Sequence, residues 1–454
     1  MSKKTVYYCL LSILLILTAC SKETSYTSLI NTDRAKSGGE TTIFTMSNIA
    51  YSSPAENLSQ ETLEKHLNGD LDFERIFVTA PATLNPGLGS VYNNSSCIKC
   101  HPSDGRGKLL PKNINGFTSL LLRISTPGND KHNAPLAAPG YGTQLQNHAL
   151  SGFLPEVTYQ LSLQEQIELL ADGTQVVLRK PIFSVTDWYK EKPTNYMLSP
   201  RIAPPIFGSG LLEAIPEADI LKATDENDSD KNGISGKANY VWNPVTQQTE
   251  LGRFGWKANV STLQVQVAGA YHGDMGITNP VFTKEEYDDG LADDPEISAE
   301  ILNNVVVYCQ TLGVPAARDV DNEQVDNGYQ IFQNIQCAAC HTPQQRTLQA
   351  SVEALSNQTF YPFTDMLLHD MGEGLADNRP DFLASGKEWQ TRPLWGIGLQ
   401  KIVNGHTQFL HDGRARNLTE AILWHGGEAE AAKNNFKKLS TKEREDLLAF
   451  LNSL

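Results

Sequence analysis

The sequence predicts a mainly α fold of two domains with a small β-hairpin insertion, and three observations carry that expectation. A pentad, Cys-x-x-Cys-His, occurs twice, at 97–101 within "SSCIKCHPSDGRGK" and at 337–341 within "QCAACHTP". The clearest periodicity around the second copy is helical. One stretch, 156–185, instead alternates apolar and polar residues about Asp172-Gly173, a hairpin turn signal. With 454 residues the chain has the length for two or three domains, each with its own core.

The chain opens "MSKKTVYYCLLSILLILTAC", where Lys3 and Lys4 precede a short apolar run and Leu17-Thr18-Ala19-Cys20 follows it. Residues 1–19 read as a lipoprotein signal peptide and Cys20 as the lipid attachment site. Residues 20–45 then form the lipidated N-terminus and a linker rich in Ser, Thr, Lys and Gly. The 37 basic against 52 acidic residues, a net charge of -15, repel nucleic acid and exclude it as a partner class.

Three helices are expected near the second pentad. In "ISAEILNNVVVYCQTLGVP" Ile301, Val305, Tyr308, Cys309 and Leu312 share a face, Ser298 is the N-cap, and Gly313 and Pro315 are stop signals. Val325, Tyr329, Phe332 and Ile335 make an apolar stripe that runs into the pentad. Near the C-terminus, Ser440 and Glu443 form a capping box ahead of Leu447, Leu448, Leu451 and Leu454.

Cysteines in Cys-x-x-Cys-His form thioethers to the two vinyl groups of a haem, and the adjacent histidine ligates the iron. A zinc site would need partners for each cysteine pair, and a dithiol redox site gives the histidine no role. Two covalently bound haem c groups are therefore expected, on Cys97, Cys100 and His101 and on Cys337, Cys340 and His341, in two cytochrome c-like domains. The N-terminal domain takes 46–315, with the β insertion around 156–185, and the C-terminal domain takes 316–454. Two irons suit a reaction that consumes two electrons while soluble donors deliver one at a time.

The segment "FLHDGRARNLTEAILWHGGEA" (409–429) resembles the C-terminal haem segment of bacterial dihaem cytochrome c peroxidases. The resemblance puts the sixth ligand of the electron-relay haem at His425, where such enzymes often carry Met; Met366 and Met371 are the other candidates. "GRFGWKANVSTLQVQVAGAYHGDMGITNP" (252–280) resembles the stretch in which a tryptophan bridges the haems and a carboxylate stands over the reactive iron. Those roles fall on Trp256 and Asp274, with Asp in place of the usual Glu. His272 is a second acid–base candidate, and Arg253 and Lys257 are candidates for steadying charge. Over nearly all of the mature chain the sequence is similar to the bacterial dihaem oxidoreductase family, distant relatives of those peroxidases.

In "DENDSDKNGISG", Asp228, Asp230, Asn232 and Gly233 match the first half of a Ca2+ loop, although Asn239 stands where the closing Glu belongs; an Asx-rich turn is the alternative. The expectation is thus a lipid-anchored dihaem oxidoreductase of the peroxidase type, exported to the periplasmic face of a membrane or the cell surface. It would take electrons from a small cytochrome c or copper protein and use hydrogen peroxide or another small oxidant. The alternatives are an electron-transfer cytochrome without a substrate and a protein-modifying dihaem oxidase.

Overall fold

The structure, a computed structural model, describes residues 33–109, 119–284 and 295–454. The signal segment 1–19 and Cys20 lie outside the described residues. Five helices of twelve or more residues organise the rest: α1 (Gln60–Glu74), α2 (Leu263–Met275), α3 (Ala299–Thr311), α4 (Glu323–Asn334) and α5 (Thr441–Ser453). Each starts at a side chain that accepts a backbone N–H of the first turn: Ser59, Thr262, Ser298, Asn322 and Ser440. Such a cap stabilises a helix by about 1 kcal/mol. At α5 the Ser440 and Glu443 capping box closes as the sequence implied.

The helices form two crossed pairs built on one plan. In α1 a Cβ on Gly69 would stand 2.2 Å from the Asn304 carbonyl oxygen of α3, and in α4 a Cβ on Gly328 would stand 2.0 Å from the Asp446 carbonyl oxygen of α5. Only glycine lets the backbones approach this closely. Four residues on, one turn along the same face, Phe73 packs 5.2 Å from Tyr308 and Phe332 packs 5.3 Å from Phe450. Each pair is the centre of its own buried core, one on Phe73 and Tyr308, the other on Phe332 and Phe450.

Between α1 and α2 the chain is rich in strand. β1 (Leu120–Asn129) pairs antiparallel with β2 (Pro135–Leu136), β3 (Gln144–Leu145) and a later strand, Met197–Ile202. β4 (Thr158–Leu169) and β5 (Gln175–Thr186) pair along their whole length, from Thr158 opposite Thr186 to Leu169 opposite Gln175. A third core, of Leu120, Leu122, Ile124, Tyr141 and Leu145, lies under these strands. The β4–β5 arm reaches the C-terminal half, where Leu178 is buried in the Phe332 core, Glu168 pairs with Lys437 at 2.7 Å and Asp172 pairs with Arg444.

These facts correct the expected fold class. The chain is 31% helical and 21% strand with many small sheets, so it is not mainly α, not a pair of cytochrome c-like domains, and not a helical protein with one small hairpin insertion. Most strands here are two to four residues long, as in Thr42–Ile43 and Tyr240–Asn243, too short to leave an alternating signature in sequence. Part of the expected linker is packed as well. Ala35 and Ser37 are buried, Arg34 pairs with Asp326 at 2.9 Å, and Thr42–Ile43 runs parallel to Val314–Pro315.

Candidate functional site

Both pentads adopt one local structure. The His101 N–H donates to the Cys97 carbonyl at 2.9 Å, and the His341 N–H to the Cys337 carbonyl at 3.0 Å. A single helical turn therefore carries the three side chains, at positions i, i+3 and i+4, to one side. The Nδ1 of His101 lies 2.7 Å from the Pro204 carbonyl, and the Nδ1 of His341 lies 3.0 Å from the Phe363 carbonyl. A carbonyl only accepts, so each ring holds its proton on Nδ1 and keeps a lone pair on Nε2. Burial pushes both imidazoles down to about 4, which keeps them neutral at pH 7. The glycine-spaced phenylalanines complete the likeness: Phe73 sits 6.3 Å from His101 at 53°, and Phe332 sits 6.3 Å from His341 at 52°.

The donor set fits a c-type haem at each pentad: two thiols and one neutral imidazole with Nε2 available. It fits a reactive dithiol poorly, because burial pushes Cys100 and Cys337 up to about 12 and holds them as thiols.

A largely apolar cavity extends from the second pentad. Cys337, Cys340 and His341 line it together with Met366, Met371 and His425. His425 follows the short helix Leu418–Leu423, which Asn417 caps. Its Nδ1 donates to the Ala421 carbonyl at 2.7 Å, so this third histidine also keeps Nε2 free. Burial lowers its proton affinity, and His425 in turn contributes to the lowering at His341. Beside Cys340 lies a residue that the sequence did not single out. His369 is clamped between Asp365 at 2.9 Å and Glu428 at 2.7 Å, with Cys340 Sγ 3.6 Å from its Nδ1. Burial disfavours its charge, but Asp365, Cys340 and Glu428 outweigh burial and push it up to about 12.

The first pentad has a carboxyl neighbour instead. Asp274, at the end of α2, accepts the Asn93 and Asn94 N–H groups on its carbonyl at 2.8 and 3.2 Å. The Asn94 amide reaches Cys100 Sγ at 3.4 Å, which ties Asp274 to the pentad through one residue. Gln144 Nε2 donates to Asp274 Oδ1 at 2.7 Å and also to Asn93 Oδ1 at 2.7 Å. Burial raises Asp274 to about 6 against the lowering effect of Gln144. Asp104, three residues past His101, is buried and likewise raised by burial, to about 7.

Trp256 is buried and lines the second pentad's cavity, while its Nε1–H donates to the Ile202 carbonyl at 2.9 Å. The Arg106 and Arg392 guanidinium carbons stand 5.2 and 5.3 Å from its ring centroid. Because Arg106 follows the first pentad closely in sequence, Trp256 links that segment to the second pentad's cavity. His411, in the His-Asp-Gly turn, stacks on Trp389 at 3.8 Å and meets Trp256 edge-on at 6.5 Å.

Other expected residues fall elsewhere. His272 donates to or accepts from the site in no hydrogen bond among the described residues; its Nε2 donates to the Lys284 carbonyl at 2.7 Å and its ring stacks on Phe282. Lys257 is fully buried and bound to Asp377 and to the Arg379 and Ser385 carbonyls, each at 2.8 Å. Arg253 lines the cavity and donates to the Ile215 carbonyl at 2.8 Å. In the expected calcium loop, Asp225, Asp228 and Asp230 cluster within 4.8 Å of one another. Asn232 is turned to its neighbours Asp230 and Ile234, and Asn239 is committed to the Lys257 and Asp381 carbonyls, so the twelfth position closes no loop.

Gln144, Arg392 and His369 went unnoticed in sequence because each reaches the site from a distant segment, and Asn94 and Arg106, although within five residues of the first pentad, meet their partners Asp274 and Trp256 only in the fold. A histidine flanked by acids, "TDMLLHD", was the one local signal among them. Searches of curated proteins and of solved structures give no match. The family model described as "Di-haem oxidoreductase, putative peroxidase" matches residues 31–454. With two matching Cys-x-x-Cys-His pentads and a family match over nearly its whole length, the chain belongs to the di-haem oxidoreductases.

Proposed function

We propose that the protein reduces hydrogen peroxide at its first haem and receives electrons through its second, each haem being attached covalently at its pentad. The observation that carries this reading is an asymmetry between two otherwise matching sites. An ionisable carboxyl, Asp274, attends the first pentad, and a histidine with a free Nε2, His425, shares the cavity of the second.

Bound haem would supply the one-electron redox chemistry for reducing a small oxidant. The chain's own groups supply the rest. Gln144 holds Asp274 Oδ1 and leaves Oδ2 to carry a proton. The ionised carboxylate takes the proton from the near oxygen of peroxide and delivers it to the departing oxygen. Overall, peroxide, two electrons and two protons give two waters, so two single-electron deliveries are needed per turnover. Trp256, between the segment of the first pentad and the cavity of the second, shortens the path between the two sites.

The donor is a small cytochrome c or copper protein. The chain is tethered by lipid on Cys20 at the periplasmic face of a membrane or at the cell surface, a reading supported by the sequence of its first twenty residues. Among the described residues no helix is long and apolar enough to cross a membrane.

The deciding experiment is electron paramagnetic resonance of the resting and half-reduced protein, with peroxide turnover measured on the same samples. The proposal requires one haem with two histidine ligands and one that is open, or opens on half-reduction, together with turnover. Two haems that stay six-coordinate in every state, with no peroxide consumed, would assign the chain to electron transfer alone.

A further inference from the structure

The second pentad's cavity is largely apolar, and its charged lining is mostly cationic. Among the described residues Arg106, Arg253, Arg392 and Lys433 line it, Lys433 being paired with Glu430 at 2.7 Å, whereas the one acidic residue in the lining, Glu428, is held by His369 and Ser235. Arg106 is only 6% exposed. Its Nη2 donates to the Leu410 carbonyl and its buried Nε has no partner. Arg392, half-buried, spends Nη1 on the Gly255 carbonyl and Gln390 Oε1, at 3.2 and 3.3 Å, and neither arginine forms an ion pair among the described residues. Asp412, an acid whose charge acts on Arg106, is already bound by Arg414 at 2.7 Å.

Buried guanidinium groups without a counter-charge are strongly disfavoured, and guanidinium donors are matched best by carboxylates. The missing anion must therefore belong to whatever fills the cavity. It must combine carboxylates with an apolar body, as does a porphyrin with vinyl groups at one edge and propionates at the other. We propose that Arg106 and Arg392 bind the propionates of the second haem, so that a residue from the segment of the first pentad completes the cofactor site of the other half. Arg253, whose charge is supported by Glu213 and Glu217, is outside this pair.

The inference rests on the dihaem reading, and haem content separates the two. If the wild-type protein holds fewer than two covalent haems, the dihaem reading fails; if it holds two, the potentials test the arginines. Spectroelectrochemistry of the full-length holoprotein resolves the midpoint of each haem. A unit charge removed from ~10 Å at an effective dielectric of about 20 changes the ferric-to-ferrous ratio on the order of tenfold, or ~59 mV for one electron. R106Q and R392Q should each lower the second haem's potential by about this factor, and R106K should stay within about threefold of wild type. Unchanged potentials in both glutamine variants, or a change confined to the first haem, would overturn the assignment. If the glutamine variants fail to accumulate, R106K decides by resonance Raman: shifted propionate-bending bands support the contact, and bands identical to wild type refute it.

Discussion

Replacing Asp274 by asparagine tests the proposed acid–base role directly. Asparagine keeps the shape and can still accept from Gln144 Nε2 through Oδ1, but it cannot ionise. Burial sets the wild-type carboxyl at about 6. The ionised fraction is then about nine-tenths at pH 7 and about one-tenth at pH 5. Wild-type kcat/KM for peroxide should accordingly fall about tenfold over those two units, with the limb centred near 6. D274N should lose about 100-fold or more in kcat/KM at pH 7, the lower end of what a general acid–base group contributes, and its limb should vanish. Replacing Gln144 by leucine removes the bond that holds the carboxyl down, so its limb should move to higher pH. The same shift predicts stability. A carboxyl raised in the folded state favours the native protein when protonated, so its contribution is whole below about 4 and is lost as pH rises through about 6. That loss is on the order of 1–3 kcal/mol, and D274N should flatten it. Stopped-flow peroxide consumption and urea midpoints between pH 4.5 and 8 read both. An asparagine variant that retains activity within threefold of wild type and the same acid limb would refute the assignment.

The remaining predictions concern the scaffold and the second site. Alanine at Gly69 or Gly328 would force a helix pair apart against a carbonyl 2.2 or 2.0 Å away; each should cost about 1–3 kcal/mol, read as a lowered urea midpoint by circular dichroism. His425→Met should raise the second haem's potential relative to paired histidines and change its low-spin spectrum, whereas an unaltered spectrum would remove His425 from the ligand set. His369→Leu leaves Asp365 and Glu428 without their shared cation and should cost about 3–5 kcal/mol at pH 6. Because His369 is raised to about 12, its stabilisation is full below the free imidazole value of about 6.5 and drains as pH climbs toward 12, so the gap between variant and wild type should narrow in alkaline buffers.

The two pentads were legible because each sets its three residue types at one fixed local spacing, and one helical turn suffices to bring them together. The helices beside them were legible for the same reason: caps such as Ser298 and Ser440 and stripes such as Val325 to Ile335 act within one segment. The fold class failed where structure is made by distant partners. Thr42–Ile43 is a strand only because Val314–Pro315 lies beside it, and nothing within two residues announces that. Gly69 and Gly328 stood in plain view, each four residues before a phenylalanine. Their common purpose shows only once α3 and α5 lie across them. Likewise Asp274 acquires its raised proton affinity from burial, and its partners Gln144, Asn93 and Asn94 arrive from strands and loops well over a hundred residues earlier.

The surroundings of Trp256 bear on which oxidation this protein carries out. A protein-modifying oxidase would gain from resting an oxidising equivalent on the bridging tryptophan, which would make the ring a cation. Here two guanidinium groups face that ring at 5.2 and 5.3 Å, and like charge at such range disfavours a cation, an effect that propionates bound to those arginines reduce. The other way to keep the equivalent is to shed the indole proton, but Nε1–H points at the Ile202 carbonyl, which cannot take it. His411, the nearest basic ring, meets Trp256 edge-on rather than through that hydrogen, and burial holds it near 3. With the first route disfavoured and the second closed, Trp256 suits electrons that pass between the sites without stopping. That favours delivery of reducing equivalents to peroxide over storage of oxidising ones for a partner protein.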